Sequence, residues 1–324
     1  MPDKIIDGEA FAKAANAATA AQAAALKAAG RRPHLLAVQV GENPASRLYT
    51  NQQGRACASV GIQYQLLNLP ESITQDKLLI KIEELNASRK VTGIILQMPL
   101  PGHLDARAVQ VTIDPNKDVE GMHPQNMGRL FYGGGSIFPC TPMAAVALLR
   151  SVLPNMKGLE AVVVGHSEIV GKPIAAILLQ SPAESPTVTV CHVATRDLAF
   201  HTRRADVLVV ATGVSQARWL GYQRRQEAGQ KVSPPDLSFL IKADMIKPGA
   251  TVIDVAINRI PAGLDQAGQP LLDAKGDARM VTVGDVDFQA AKDVAGAITP
   301  VPGGVGPVTV AMLLANTVAA AKMI

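Results

Sequence analysis

The sequence predicts an α/β protein built from parallel sheets in two domains, and three observations lead to this prediction. Short apolar runs alternate along the chain with stretches of helical character, which is typical of parallel strands covered by helices. Apolar residues make up 48% of the chain but aromatic residues only 3%, so the core must consist mostly of Ala, Val, Ile and Leu. With 324 residues, the chain is long enough for two domains.

The first array of elements occupies the N-terminal part of the chain. Strands are predicted at 34–40 (HLLAVQV), 62–69 (IQYQLLNL) and 93–101 (GIILQMPLP), the last running into a proline-rich loop. Helices are expected from Ala45 to about Val60 and at 75–88. The alanine-rich stretch at 9–29 carries polar residues and stops at Gly30, so we expect a soluble helix there and not a membrane segment.

The second array follows a helix predicted at 140–153. The segment 159–171 (LEAVVVGHSEIVG) reads as a strand, a tight glycine turn and a helix start, and a last helix is expected at 307–323. Further strands are predicted at 187–192, 206–213, 251–258 and 280–286. The segment 213–249 is predicted as a long polar connection between strands, either a solvated insertion or a functional loop. Trp219 is expected to be an incidental residue of that loop.

Charge and cysteine usage exclude several classes of protein. The formal net charge is +4 and the basic residues are scattered, whereas nucleic-acid binding needs a concentrated basic face. Cys57, Cys140 and Cys191 lie far apart, so we expect neither a metal site nor a disulfide framework. The first ten residues contain no apolar core of a signal peptide, so we expect a cytoplasmic protein that does not bind membranes.

The glycine turn after the apolar run AVVV predicts a dinucleotide site. Small residues let the backbone approach a pyrophosphate, and the helix start beyond offers free N–H groups. The turn is not a standard G-x-G-x-x-G, because Ser167 replaces the second glycine and Gly171 comes one residue late. The next strand ends at Cys191-His192-Val193 without the acidic residue that would bind the ribose hydroxyls of NAD, which favours NADP.

Five loop motifs together resemble one family. They are Asn43-Pro-Ala-Ser46-x-x-Tyr49, Gln97-Met-Pro-Leu-Pro101, Asp114-Pro-Asn-Lys-Asp118-Val-Glu120-Gly121, Pro139-Cys-Thr-Pro142 and Thr299-Pro-Val-Pro-Gly-Gly-Val-Gly-Pro-Val-Thr309. In this order they resemble the methylenetetrahydrofolate dehydrogenase/cyclohydrolase family along nearly the whole chain, with only the 213–249 region longer than expected.

The resemblance implies a fold, a reaction and an assembly. It implies a small folate-binding catalytic domain at 1–142, completed by a C-terminal helix at 303–324, and a Rossmann-like NAD(P)-binding domain at 143–302, with a cleft between them. The family oxidises 5,10-methylenetetrahydrofolate to the 5,10-methenyl form by hydride transfer to a nicotinamide. Most members then hydrolyse the product to 10-formyltetrahydrofolate, and the family forms homodimers.

The resemblance also assigns site residues. The catalytic candidates are Tyr49, Gln53, Gln97 and Glu120. The substrate-binding candidates are Ser46, Tyr49, Pro99, Leu100, Pro101, Glu120, Gly303, Gly304 and Thr309. The cofactor-binding candidates are Thr141, Gly165, His166, Ser167, Val170, Gly171, Lys172, Pro173, His192, Arg196, Thr212, Gly213 and Asp285, with His166, Lys172 and Arg196 expected near the extra phosphate of NADP.

Two residues depart from the family pattern. The family has a lysine for the hydrolytic step four residues after the tyrosine, where this chain has Gln53. A glutamine has no titrating proton and cannot act as general acid or base. Glu120 stands where the family usually has Asp, which moves the carboxylate outwards by roughly 1.5 Å.

Four functional hypotheses follow from these residues. The first is a dehydrogenase that uses NADP and has lost most or all cyclohydrolase activity. The second is the bifunctional enzyme, with another group or water replacing the lysine. The third is a folate- or nucleotide-binding paralogue without catalysis, and the fourth is a two-domain dehydrogenase of small acids, which Tyr49 and the QMPLP loop disfavour because such enzymes need a cationic clamp.

Overall fold

The structure is a computed structural model that describes residues 4–41, 44–181, 183–265 and 267–324, without the side chains of residues 44–49. The chain divides into two compact units. The three-stranded unit comprises Ala10–Met143 and Pro307–Ile324, and the five-stranded unit comprises the residues up to Glu9 together with Ala144–Gly306.

The three-stranded unit is built on a parallel sheet in the order β2-β1-β3. Its elements are α1 (Gly8–Ala28), β1 (His34–Val40), α2 (Pro44–Ser59), β2 (Gln63–Leu69), α3 (Gln75–Ala87), β3 (Gly93–Leu96), α4 (Ala106–Thr112), α5 (Pro124–Phe131) and α11 (Val305–Met323), and α1 and α11 begin in the other unit. The helix α6 (Cys140–Val152) begins in this unit and belongs to the other from Ala144 onwards. The central strand β1 is buried over its whole length, because helices cover both faces of the sheet.

Two apolar clusters hold this unit together. One joins residues of α1, α2 and α11 to the sheet, and the other packs α3 and α4 against the opposite side of β1. The helix α11 is long and apolar enough to cross a membrane by composition alone. Leu314 and Val318 on this helix are buried in the first cluster, so α11 is a core helix of the unit.

The five-stranded unit contains a parallel sheet in the order β10-β7-β6-β4-β5. Its elements are β4 (Glu160–Val164), α7 (Gly171–Leu178), β5 (Thr187–Cys191), α8 (Leu198–Thr202), β6 (Val207–Val210), α9 (Val214–Glu227), a 3₁₀ turn (Ala243–Met245), β7 (Thr251–Asp254), β8 (Asn258–Pro261), β9 (Met280–Val283), α10 (Phe288–Val294) and β10 (Ala297–Ile298). The strand order changes direction at β4, which is the switch point where ligands bind in open α/β sheets. The predicted α/β fold with a Rossmann-like parallel-sheet domain is therefore confirmed.

The strand predicted at 280–286 does not belong to the parallel sheet. Residues Met280–Val283 form β9, which pairs antiparallel with β8 in a separate two-stranded hairpin. The fifth strand of the sheet is β10, whose two residues are too short to stand out as an apolar run. Ile5 forms an isolated parallel bridge with Ile298 at this edge.

The prediction of a loop at 213–249 is wrong in its first half. Residues Val214–Glu227 form the helix α9, and Trp219 and Tyr222 on it are 5% and 1% exposed. Both side chains pack with Ile260 of β8 in a small apolar cluster. Trp219 is thus a core residue of this insertion and not an incidental loop residue.

Candidate active site

Two glutamines and a tyrosine form a hydrogen-bonded cluster in the three-stranded unit. Gln53 lies in α2 and Gln97 follows directly after β3, and both are buried. The Gln97 Nε2 atom donates to Gln53 Oε1 at 3.1 Å, and the Tyr64 hydroxyl donates to the same oxygen at 3.2 Å. All three groups are neutral, so the position held by a lysine in the family carries no charge here.

One atom of this cluster has no partner among the described groups. Gln53 Nε2 is buried and forms no hydrogen bond, although a buried amide normally pairs its N–H groups. An unpaired buried donor at this place is a group that a ligand oxygen can satisfy. Sequence reasoning missed Tyr64, because a tyrosine in the edge strand β2 looks like any other strand residue.

Asp118 and Glu120 lie on the loop that follows α4. Asp118 Oδ2 accepts hydrogen bonds from the His123 backbone at 2.7 Å and from Asn126 Nδ2 at 3.0 Å. Burial and the nearby Asp118 raise the pKa of Glu120 to about 8, against a weaker opposing effect of a backbone hydrogen bond from Leu96. At neutral pH most of the Glu120 carboxyl is therefore protonated and can donate as well as accept a hydrogen bond.

Lys117 precedes this pair in the chain, and its ammonium group is fully occupied. Its Nζ atom donates to the carbonyl oxygens of Leu85, Asn86 and Ser88 at 3.1, 2.7 and 2.7 Å. Three carbonyl acceptors occupy all three protons of the ammonium group, so Lys117 fixes the end of α3.

The remaining candidates of this unit, which are folate candidates and the cofactor candidate Thr141, occupy loops and helix starts. Pro99 is exposed while Leu100 and Pro101 are half-buried, in the loop after Gln97, and Thr141 is half-buried in the first turn of α6. Ser46 and Tyr49 belong to α2, but their side chains lie outside the described part of the chain.

The glycine turn of the five-stranded unit joins β4 to α7. Gly165 has a φ of +127°, and a Cβ there would collide with the carbonyl of Ala211, while a Cβ at Gly171 would collide with the carbonyl of Gly165. The Ser167 hydroxyl accepts hydrogen bonds from the amides of Val170 at 3.2 Å and Gly171 at 3.5 Å. The serine that replaces the second glycine therefore stabilises the turn. Lys172 and Pro173 occupy the first turn of α7.

Polar residues surround this turn at the carboxyl ends of β4 and β5. The rings of His166 and His192 meet edge to face with centroids 4.7 Å apart, and both side chains are exposed. Arg196 is also exposed, and Lys172 reaches only the Glu168 carboxylate, at 4.0 Å. His192 lies where an acidic residue would stand in an NAD-binding strand, and His166, from the glycine turn, packs against it.

Asp285 holds the loop that follows β6 through hydrogen bonds of its carboxylate. Its Oδ2 atom accepts from the Thr212 amide at 2.8 Å, the Thr212 hydroxyl at 2.6 Å and the Gly213 amide at 3.0 Å. Its Oδ1 atom accepts from Asn258 Nδ2 at 3.0 Å, and the residue is fully buried. Protein donors reach both oxygens, so Asp285 positions Thr212 and Gly213, and its contact with a cofactor stays a prediction.

Asp254 is a second buried carboxyl in the same region, at the end of β7. It accepts hydrogen bonds from the amides of Val286 at 2.9 Å, Asp285 at 3.2 Å and Ala256 at 3.2 Å. Burial, with the charge of Asp285, nevertheless raises its pKa to about 7. Sequence reasoning missed this residue, because it lies inside the strand predicted at 251–258, whereas β7 ends at Asp254.

The glycine-rich stretch before α11 is needed for packing of the chain itself. Gly303 has a φ of +101°, and its carbonyl accepts a hydrogen bond from the Gly8 amide at 3.0 Å. A Cβ at Gly304 would lie 2.5 Å from the carbonyl oxygen of Pro300. Thr309 is half-buried in the second turn of α11 and has a partner of its own.

The fold and these residues define a class of protein. A parallel sheet with a glycine turn and a helix start at its switch point is typical of dinucleotide-binding α/β oxidoreductases. Residues 6–120 match the profile of the tetrahydrofolate dehydrogenase/cyclohydrolase catalytic domain, and residues 139–218 and 236–324 match that of its NAD(P)-binding domain. The chain belongs to the tetrahydrofolate dehydrogenase/cyclohydrolase family, which confirms the resemblance seen in the sequence. The segment 219–235 falls outside both matches and includes the buried Trp219 and Tyr222.

Curated relatives and solved structures agree with this assignment. The chain is 44% identical to a bifunctional protein FolD of Polynucleobacter asymbioticus, over 99% of this chain and 98% of the relative. It is 47% identical to the bifunctional protein FolD 2 of Paracoccus denitrificans, over 98% and 92%. Among solved structures, the bifunctional FolD of Campylobacter jejuni superposes with a TM-score of 0.81 at 38% identity, covering 98% of each chain. The FolD of Trypanosoma brucei, solved with NADP and an inhibitor, superposes with a TM-score of 0.79 at 35% identity, covering 100% and 99%.

Proposed function

We propose that this protein oxidises 5,10-methylenetetrahydrofolate to the 5,10-methenyl form with NADP, and that it hydrolyses the product slowly or not at all. The family assignment and the glycine turn support the first step. The single observation that carries the second is the neutral cluster of Gln53, Gln97 and Tyr64 at the position of the family lysine.

The oxidation needs placement of the two reactants more than proton transfer. A hydride leaves the methylene carbon with its electron pair and reaches the nicotinamide ring, so no side chain has to take up a proton in that step. The nicotinamide supplies the acceptor when NADP is bound. Glu120 and the loop that follows Gln97 provide acceptors for the amide-like edge of a pterin, and the open amide of Gln53 provides a donor.

Hydrolysis of the methenyl product makes different demands. A water molecule must lose a proton as it attacks the methenyl carbon, and a positioned base typically contributes about 10²- to 10⁴-fold to such a step. Gln53 and Gln97 have no titrating proton, and Lys117 is fully used by three carbonyl groups. The non-catalytic alternative has no support, because the chain matches both domain profiles of the family and keeps the glycine turn.

The preference for NADP is supported by the end of β5. His192 stands there without an acidic neighbour, and His166 packs edge-on against it. Arg196 is exposed nearby in the chain, and these three side chains are the group that we propose contacts the 2′-phosphate. Comparing kcat/KM for NADP and NAD tests this, and a preference for NAD would overturn it.

A two-wavelength assay tests the main proposal. The purified enzyme receives 5,10-methylenetetrahydrofolate and NADP, and reduced cofactor and methenyl product are followed together. We expect both to rise in parallel, with the methenyl product decaying no faster than in an enzyme-free control. If reduced cofactor forms while methenyl product stays low, the enzyme is bifunctional, as its curated relatives are named. If no cofactor is reduced, the dehydrogenase proposal fails.

The assembly and location stay predictions. We propose a homodimer in the cytoplasm, as the resemblance implies, and sedimentation of the purified chain at micromolar concentration tests the dimer.

A further inference from the structure

A cavity opens at the amino end of the three-stranded sheet. It has a volume of about 1010 Å³ and lies at the amino ends of β1, β2 and β3, where His34, Gln63 and Thr92 line it. Gln97 and Gln53 belong to the carboxyl end of the same sheet, so β1 alone separates the two ends by about 20 Å over its seven residues. The cavity is therefore distinct from the candidate folate residues.

The wall of this cavity is basic. Arg31, Arg32, Arg89 and Lys90 line it, and no acidic side chain does. None of these four forms an ion pair with a carboxylate in the described part of the chain. These four side chains give the wall a clear positive excess.

Helix capping explains only one of these cations. Basic residues near a helix C-terminus commonly pair with its free carbonyl groups. Arg31 does so, donating to the Lys322 carbonyl at 3.3 Å near the end of α11. The side chains of Arg32, Arg89 and Lys90 form no hydrogen bond with any described group and remain available to a ligand.

A buried histidine gives an independent sign of a ligand. His34 is 5% exposed and lines the cavity. Its Nδ1 atom lies 3.0 Å from the Lys90 carbonyl oxygen, and because that oxygen only accepts, Nδ1 carries the proton. Burial lowers the pKa of His34, so the ring is neutral and Nε2 is an acceptor. That atom is buried without a partner among the described residues.

The chemistry of the ligand follows from these groups. The cations call for a multiply charged anion, since arginine binds phosphate through paired hydrogen bonds. The free acceptor of His34 calls for an N–H or O–H donor on the same molecule. Leu36 and Val91 add an apolar part of the wall that suits a flat ring. We propose that this cavity binds a nucleoside phosphate, with its phosphates on Arg32, Arg89 and Lys90 and a donor of its base or sugar on His34.

Calorimetry on the full chain tests the proposal. ATP is titrated into the enzyme with NADP at the lowest concentration that fills the dinucleotide site, and again without NADP, so that competition of NADP for the cavity is detected. We expect saturable binding at one ATP per chain, weakened by about tenfold or more in the double variant Arg32→Glu, Arg89→Glu, because two attractive charges become repulsive. The matched control Arg107→Glu, Arg224→Glu changes two other exposed arginines by the same charge and should bind ATP like the wild type.

The other outcomes each contradict the proposal. Absence of saturable binding at millimolar ATP would overturn it, as would equal weakening in the two double variants. Equally tight binding of pyrophosphate would show that the wall recognises charge alone, which contradicts the role of His34. A ¹⁵N spectrum gives a readout without a mutation in the wall, since the Nε2 resonance of His34 should shift on addition of ATP and stay in place with pyrophosphate.

Discussion

Replacing Gln53 by lysine should create a hydrolytic activity that the wild-type protein lacks. The side chain is 4% exposed, and its oxygen accepts hydrogen bonds from Tyr64 and Gln97. Both neighbours can adapt to an ammonium or amine group, because the tyrosine hydroxyl can turn to accept and the Gln97 amide can present its oxygen. The pocket therefore has acceptors ready for the Gln53→Lys side chain.

The size of the gain follows from the role of a positioned base. Burial disfavours the charged form of an amine, so the new lysine should have a pKa below its usual range and nearer to neutral pH. A base of that kind contributes about 10²- to 10⁴-fold to proton transfer, which corresponds to about 3–5 kcal/mol of the activation free energy. We expect the rate of methenyl hydrolysis to rise within that range, with a smaller change in the dehydrogenase rate.

The assay follows the decay of added methenyltetrahydrofolate in the absence of cofactor. Gln53→Met is the matched control, because methionine has a similar length and no exchangeable proton, and it should hydrolyse no faster than the wild type. The reasoning is refuted if Gln53→Lys and wild type hydrolyse at the same rate while both fold and oxidise substrate. It is also refuted if the wild type already hydrolyses as fast as it oxidises.

Three further predictions concern pH and stability. Burial raises the pKa of Glu120 to about 8, and the ionised carboxylate is the better acceptor for pterin N–H groups. We therefore expect kcat/KM for the folate to rise as the pH increases through about 8, and Glu120→Gln to flatten this pH profile. Asp254 has a folded-state pKa of about 7 against 3.8 for an ordinary aspartate, so the folded state holds a proton that the unfolded state releases. Its stabilising contribution is complete below about pH 4 and is lost as the pH rises to about 7, at up to about 1.4 kcal/mol per pH unit. Free energies of unfolding from urea denaturation at several pH values should show this decrease in the wild type and lack it in Asp254→Asn. Trp219→Ala should lower the free energy of unfolding by about 3–5 kcal/mol, because the ring is 5% exposed in an apolar cluster, whereas Leu220→Ala, at 40% exposure, should lower it by less than about 1 kcal/mol.

Each of these predictions has an outcome that contradicts it. A pH profile that is unchanged in Glu120→Gln would show that another group sets the dependence. If the free energy of unfolding changes with pH between 4 and 7 by the same amount in the wild type and in Asp254→Asn, Asp254 is ionised in the folded protein and the prediction fails. Equal losses in Trp219→Ala and Leu220→Ala would show that the insertion does not pack as a cluster.

The apolar strands of both sheets could be predicted from the sequence, and the short or polar elements could not. The runs in β1, β4 and β6 are buried on both faces, which is why they stand out as continuous apolar segments. The strand β10 has two residues and is defined only by its pairing with β7. The helix α9 carries a polar second half, and its burial depends on the hairpin against which it packs.

The site could be predicted in its motifs but not in its electrostatics. Gln53 and Gln97 are 44 positions apart, and their resemblance to family motifs was enough to place them in one site. The contact with Tyr64 could not be foreseen, since it depends on the register of β2 beside α2. The raised pKa of Glu120 depends on packing around the carboxyl, which no local pattern of residues specifies.

Hydrogen-bond satisfaction separates residues that hold loops from residues that are available to ligands. Asp285 is a cofactor candidate and Lys117 lies in a family motif, yet protein partners occupy Asp285 on both oxygens and Lys117 on all three protons. Gln53 is a catalytic candidate and His34 looks ordinary in the sequence, and each keeps one buried atom without a described partner. Such an atom is informative only with a second sign, because buried atoms of Asn16, Gln39 and His201 also lack partners. Gln53 has its motif neighbours and His34 has a basic cavity, so these two are the positions where a ligand would complete the hydrogen bonding of the protein.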